Sequence, residues 1–329
     1  MKKLLLVSAL LIFAFSYGQT PITDSNIAQA IETCLSTNPI NGMCSDSEYG
    51  AMPDWDVSQV TDMNTAFNER IDFNADISNW NVSNVTSMYK VFGQAASFNQ
   101  PIGDWDVSNV TEMQDMFQAA NSFNQPIGNW DVSNVTLMHA MFYSANSFNQ
   151  PIGNWDVSSV ENMYAMFLGA NSFNQPIGNW NVVNVEMMMK MFDSNTSFNQ
   201  PIGNWNTSNV YSMKKMFNNA TSFNQPIGDW DVSSVTDMSW MFHNAGSFVQ
   251  DISSWCVSNI TSEPTGFSNG TQNFPESYKP VWGTCPSLGI DDLNQLDVSI
   301  YPNPTSDTVY INSSSSQLKV VVFDILGKQ

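Results

Sequence analysis

Positive charge is what this sequence has least of. Lys and Arg number 10 among 329 residues, against 30 Asp and Glu, giving a formal net charge of −20. Nucleic-acid binding is built from Lys and Arg that neutralise phosphates, so this balance argues against it. Histidine is nearly missing, with two residues. That leaves little material for His-based catalysis or a multi-His metal site. Charged residues reach only 12%, about half the usual share of roughly 25%. Apolar runs are short as well. The longest, Leu4 to Phe15, spans twelve residues, where a bilayer needs about 20. No P-loop, nucleophile elbow, H-E-x-x-H or dinucleotide fingerprint occurs. No Asp/Glu pair stands apart from the repeated pattern, as a glycosidase pair would have to. An enzyme is therefore not expected.

Cysteine is scarce too, and its placement is informative. Cys34, Cys44, Cys256 and Cys285 sit at the two ends of the central region, with none inside it. No C-x-x-C or Cys/His cluster is present, so a metal centre is not expected. Four cysteines allow three pairings. The local ones, Cys34 with Cys44 and Cys256 with Cys285, are favoured, and each would contribute roughly 3 kcal/mol by loop entropy. Lys2 and Lys3, the apolar run and Ser16-Tyr17-Gly18 read as a secretory signal peptide over 1–18, cleaved after Gly18. That compartment permits disulfides.

What the sequence has in abundance is repetition. Trp recurs at every 25th residue from Trp55 to Trp255. Phe67 to Phe267, Met63 to Met238, Phe73 to Phe248 and Ile77 to Ile252 keep the same step without an insertion. A fixed period of this size means that each unit buries its apolar face against its neighbours. The alternation in Trp105-Asp106-Val107 predicts a short strand with Trp and Val inward. The helical spacing of Val110, Met113, Met116 and Phe117 predicts a short helix. The expected fold is thus an α/β repeat solenoid, with one short parallel strand and one short helix per 25-residue coil. A cap is expected over 19–54, the solenoid with its closing cap over 55–286, a linker over 287–297 and a further domain over 298–329. Ile27 to Cys34 reads as an amphipathic helix that could cover the open end of the core.

The unit W-D-V-S-N-V-T-x-M-x-x-M-F-x-x-A-x-S-F-N-Q-x-I, over about Trp55 to Cys285, closely resembles the repeat of the BspA-like leucine-rich-repeat surface proteins. Pro280-Val281-Trp282-Gly283-Thr284-Cys285 is similar to that family's closing segment. The resemblance implies a secreted or cell-surface binding scaffold that contacts a protein or polysaccharide partner, as in adhesion. A passive surface spacer without a specific ligand is the alternative, and a glycan-active enzyme is a less favoured third reading. Val298 to Thr305, Val309 to Asn312 and Lys319 to Lys328 resemble the first half of the type IX secretion C-terminal sorting domain. That implies a partial β-sandwich-like tail read by the type IX machinery, and export to the outer surface.

Candidate site residues lie where the copies differ. These positions flank the Met columns, and the aromatic and basic ones among them are Tyr89, His139, Tyr143, Tyr164, Lys214 and Trp240. Tyr and Trp favour binding surfaces. No cofactor is required by any motif. The Asp column (Asp106, Asp131, Asp156) raises the question of Ca²⁺, since stacked carboxylates repel and hard cations take their oxygens. The competing expectation is that each Asp accepts backbone N–H bonds from the turn that follows it. The Asn-Gln columns are expected to form amide ladders between coils. The repeated N-x-S/T triplets are read as a product of the repeat and not as glycosylation signals.

Overall fold

The computed structural model of the chain describes residues 20–286, 298–301 and 310–313. The expected leader, the linker and the larger part of the tail lie outside them. From Asp62 to Asp237, residues 25 apart form parallel bridges: Asp62 to Ser87, Ser87 to Glu112, Glu112 to Leu137, and onward in the same step. Successive units therefore lie on one another in register. Like side chains stack in columns as a consequence. Phe117 and Phe142 are 5.7 Å apart with planes 5° from parallel, and Trp130 and Trp155 are 6.5 Å apart at 1°. Within a unit, Phe117 stacks on Phe123 at 3.9 Å. Trp, Val, Met, Phe and Ile columns form one continuous apolar core.

The backbone that carries this core differs from the expectation. No helix forms at Val110–Phe117; the segment is a run of turns, and 105–107 is not a strand. Among the described residues the one α-helix is α1 (Ile27–Leu35). The reason lies in where the N–H groups go. Met113, Asp115, Phe117 and Ala119 each donate to the next unit, to the carbonyls of Leu137, His139, Met141 and Tyr143. The intervening Met116, Gln118 and Ala120 close turns onto Met113, Asp115 and Phe117. Asp115 and Ala119 take positive φ, 55° and 54°, to allow this. Met113, Met116, Phe117 and Ala120 still all point inward. A ribbon of turns thus shows the same apolar spacing as a helix, while spending half of its donors on its neighbour.

The polar columns complete the stack. From Trp105 to Trp255 each inward Trp donates its indole N–H to an Ile carbonyl one coil back, as Trp130 does to Ile102 at 3.1 Å, while Trp55 and Trp80 donate to the Gly50 and Met52 carbonyls. Asn124 N donates to Asn99 Oδ1 at 3.0 Å, and Gln125 Nε2 donates to Asn99 O and Oδ1. Asn134 Nδ2 donates to Ser108 O at 2.8 Å, which occupies the asparagine of one N-x-S/T triplet in a contact between units. Gly128 is needed for approach: a Cβ there would run into the Pro151 carbonyl oxygen.

Both ends are closed. Helix α1 buries Ile27, Ala30, Ile31, Cys34 and Leu35, and an ion pair between Glu32 and Arg70 ties it to the first unit. The Asp24 carboxylate accepts bonds from Thr61 and Asp62. At the other end Phe267 turns its edge onto Phe242, at 90°, and Trp282 packs against Phe267. Disulfides join Cys34 to Cys44 and Cys256 to Cys285, the two local pairings. In the tail, β1 (Val298–Tyr301) and β2 (Tyr310–Ser313) pair antiparallel, with Val298 opposite Ser313.

Candidate functional site

The variable positions form a face, built by the run of turns that carries the bonds between units. Tyr89, His139, Tyr164 and Lys214 share one column. Their carbonyls accept from Thr65, Asp115, Ala140 and Lys190 of the units before them. Lys90, Asp115, Ala140, Ala165, Lys190, Lys215 and Trp240 form the next column. Gln118, Tyr143, Asp193, Asn218 and His243 belong to a third. The six residues singled out from the sequence thus fall on one stripe along the stack, not in one pocket. All six are half-buried, with none fully exposed. The cause is that this segment is pinned at both edges by bonds to its neighbours, so its side chains lie along the ribbon.

The stripe collects what the chain otherwise lacks. Four of the ten Lys and Arg residues (Lys90, Lys190, Lys214 and Lys215) and both histidines lie on it. Lys190 lies over the Tyr164 ring, 5.7 Å from its centroid, and Lys215 over Trp240 at 6.0 Å. The Tyr89 hydroxyl beside Lys90, against the effect of burial, holds that ammonium above its ordinary value, with help from Asp115 and Glu69. This clustering of scarce residue types is legible in the sequence and would have added Lys90, Lys190 and Lys215 to the candidates.

The two halves of the stripe differ in how their polar atoms are used. In the C-terminal half a chain of bonds runs along the third column: Asn218 Nδ2 donates to Asp193 Oδ1 at 2.7 Å, and His243 Nδ1 lies 2.9 Å from Asn218 Oδ1. The His243 ring meets Trp240 edge-on at 4.9 Å. In the N-terminal half the bonds are missing. Asn68 Oδ1, Gln114 Oε1, Gln118 Oε1 and His139 Nδ1 are shut off from solvent and meet no partner among the described residues. Leaving such an atom unpaired costs about 1–3 kcal/mol. Beside them burial holds the Asp115 carboxyl above the usual carboxylate range, against the pull of Lys90 and His139. Sequence reasoning passed over Gln114, Asp115 and Gln118, since nothing in the repeat says which variable amide will lack a partner.

The Asp column is engaged from within. Asp106 Oδ1 accepts from Ser108 Oγ at 2.6 Å and from Ser108 N at 3.1 Å, and Asp131 does the same with Ser133. Those Ser hydroxyls, and then the backbone N–H groups, hold Asp106, Asp131 and Asp156 below the usual carboxylate range. Repulsion from Asp131 opposes the shift at Asp106 and at Asp156. A cation at this column would compete with those bonds. Among the described residues no group of three or more His, Cys, Asp or Glu is placed to hold a metal ion. Pro126, Gly128, Pro151 and Pro176 line an open groove with Asn129 and Asn154.

No helix among the described residues is long and apolar enough to cross a membrane. Residues 299–329 match the secretion system C-terminal sorting domain. That match implies export through the type IX machinery and association with the outer surface. No curated protein and no solved structure matches the chain. Three overlapping stretches, 40–147, 125–205 and 176–279, match one family of repeat-bearing proteins. Since together they cover most of the chain, it belongs to the family described as "Mycoplasma protein of unknown function, DUF285".

Proposed function

We propose that this is an exported repeat solenoid of the BspA-like kind that acts without catalysis, presenting its variable stripe to a protein or polysaccharide partner at the outer surface. The observation that carries this reading is the gathering of Tyr89, Tyr143, Tyr164, Trp240, both histidines and four lysines on one stripe. The Trp, Val, Met, Phe, Ile and Asn-Gln columns repeat nearly unchanged and are consumed by packing and by bonds between units. Aromatic and basic side chains on a preformed, rigid surface cost little entropy to engage. The sorting-domain match supplies the location.

The test is retention of the full chain on immobilised matrix proteins and on cell-wall polysaccharides, with Tyr143→Ala/Tyr164→Ala/Trp240→Ala as the comparison. Retention by the parent and a loss of about tenfold or more in the triple variant is the expected result. Circular dichroism checks that the variant stays folded, since all three side chains are half-buried. Equal retention of both proteins would clear the stripe. No retention of either would favour a passive spacer, whose only role is reach.

A further inference from the structure

We infer that the open groove along the Pro-Gly-Asn turns, from Pro126 to Pro226, is a docking site for a neutral, hydroxyl-rich polysaccharide chain lying along the stack. The groove shares no residue with the variable stripe, so this is a second contact surface and goes beyond the reading above.

The groove is a product of the repeat. Pro126, Asn129, Pro151, Asn154, Pro176 and Asn179 line one stretch of it. Pro176, Asn179, Pro201, Asn204 and Pro226 line the next. Pro176 and Asn179 belong to both, so the two stretches join into one channel across five units. Its walls are accessible, since each of these Pro and Asn residues is exposed. The glycine between them carries no side chain, which leaves the floor to the main chain.

The Asn column sets this turn apart from the others. Asn129, Asn154, Asn179 and Asn204 recur one unit apart. Each stands just before a Trp of the core column, whose rings are 6.3 to 6.5 Å from one another. The bonds between units run through other asparagines, Asn124 and Asn149 in one column and Asn134 and Asn184 in another. The four amides of the groove take no part in them and bond to no group among the described residues. Four donor–acceptor groups therefore meet solvent in a row, at the pitch of the stack.

The chemistry of this row selects the ligand. An amide both donates and accepts, as a sugar hydroxyl does. The Pro rings between the amides are apolar patches for the C–H face of a sugar ring, and ligand sites combine apolar walls with a few placed polar groups. Charge is missing from the lining. Asp104 and Asp229 bound the Asn column, and nothing charged lines the channel between them. In a chain of net charge −20 this is an uncharged window. A cation finds no carboxylate there and an anion no ammonium. A peptide adding as a strand needs main-chain donors as well as acceptors, and the Pro of every rung has no N–H to give. A polymer lying along the channel repeats its contacts at each unit, so its affinity accumulates with length.

The experiment uses the full chain with cellohexaose, xylohexaose, mannohexaose and laminarihexaose, the matching disaccharides, and polygalacturonate as the charged counterpart. Binding is read by titration calorimetry and by the side-chain amide NMR signals of the four groove asparagines. At least one neutral hexaose is expected to bind and to shift those signals, with its disaccharide about tenfold weaker or more. Asn154→Ala/Asn179→Ala should weaken the hexaose by about tenfold at an unchanged melting temperature, since no bond within the chain is lost. Pro151→Asp/Pro176→Asp should weaken it too, and it places in the groove the residue that the chain itself carries at Asp76 and Asp251. The Tyr143→Ala/Tyr164→Ala/Trp240→Ala protein should bind the hexaose as the parent does, which keeps the fate of the groove separate from that of the stripe. The inference falls if no hexaose binds, or if Asn154→Ala/Asn179→Ala binds as well as the parent. It falls as well if polygalacturonate binds more tightly than every neutral chain, or if only the stripe variant loses the hexaose.

Discussion

Two sets of amides in this molecule carry the same chemical group and meet opposite fates. Asn99 and Gln125, with their equivalents in the neighbouring units, bond along the stack, each rung giving and taking from the next. Gln114 and Gln118, on the variable stripe, each bury an oxygen that meets no donor among the described residues. The difference is one of repetition. A column of identical amides supplies a donor and an acceptor at every rung, so it satisfies itself. In a column where His139 follows Gln114 and Tyr143 follows Gln118, neighbours no longer complement one another. Sameness along the stack thus yields stability, and variation leaves polar atoms buried without a partner among the described residues.

The strongest way to break the repeated set is to hollow it. Phe142→Ala removes a fully buried ring stacked on Phe117, Phe148 and Phe167. It should cost about 3–5 kcal/mol in urea denaturation. Phe142→Leu should keep the larger part of that. Gly128→Ala comes next, because its new methyl meets the Pro151 carbonyl. A loss of about 1–3 kcal/mol is expected. Gly246→Ala, where a Cβ would meet nothing within 4 Å, should stay within about 0.5 kcal/mol. Equal losses at both glycines would show that close approach is not what selects the first.

The amides themselves sharpen the contrast. Asn149→Leu strips the acceptor of Asn174 N and Gln175 Nε2 and should cost about 1–3 kcal/mol. Gln118→Leu, of similar size and burial, should cost nothing or stabilise. A loss at Gln118 matching that at Asn149 would erase the distinction between the two sets.

The smallest effects concern carboxylates and pH. Asp106, Asp131, Asp156 and Asp231 are held below their ordinary values by Ser hydroxyls and backbone N–H groups. Their contribution to stability is therefore complete above the unfolded value of about 3.9 and lost as pH falls through the lower folded values. Asp115 runs the other way. Its folded value is raised by burial, so the folded state is favoured as that group protonates and disfavoured at neutral pH. Asp115→Asn should raise the melting temperature at pH 7, whereas Asp131→Ala should lower it slightly and flatten the loss of stability below pH 4. Melting curves across pH 2 to 7 would separate the two.

Much of the fold was legible before any coordinates. The period of 25, the inward Trp, Phe and Met columns, the amphipathic segment at Ile27 and the local cysteine pairs all have signatures that survive in one dimension, because burial and loop closure act on residue type and spacing. The backbone inside the unit was not legible in the same way. Met113, Met116, Phe117 and Ala120 sit inward in a ribbon of turns as they would in a helix, and the side-chain pattern alone cannot separate the two. What decided between them is the destination of the N–H groups of Met113, Asp115, Phe117 and Ala119, and that exists only once a neighbouring unit lies alongside. The candidate site divides along the same line. That Tyr, Trp, His and Lys gather at the variable positions is written in the sequence. Which polar atoms among them end buried and unpaired depends on side chains from adjacent units meeting or missing one another, a matter of tertiary contact that no single unit contains.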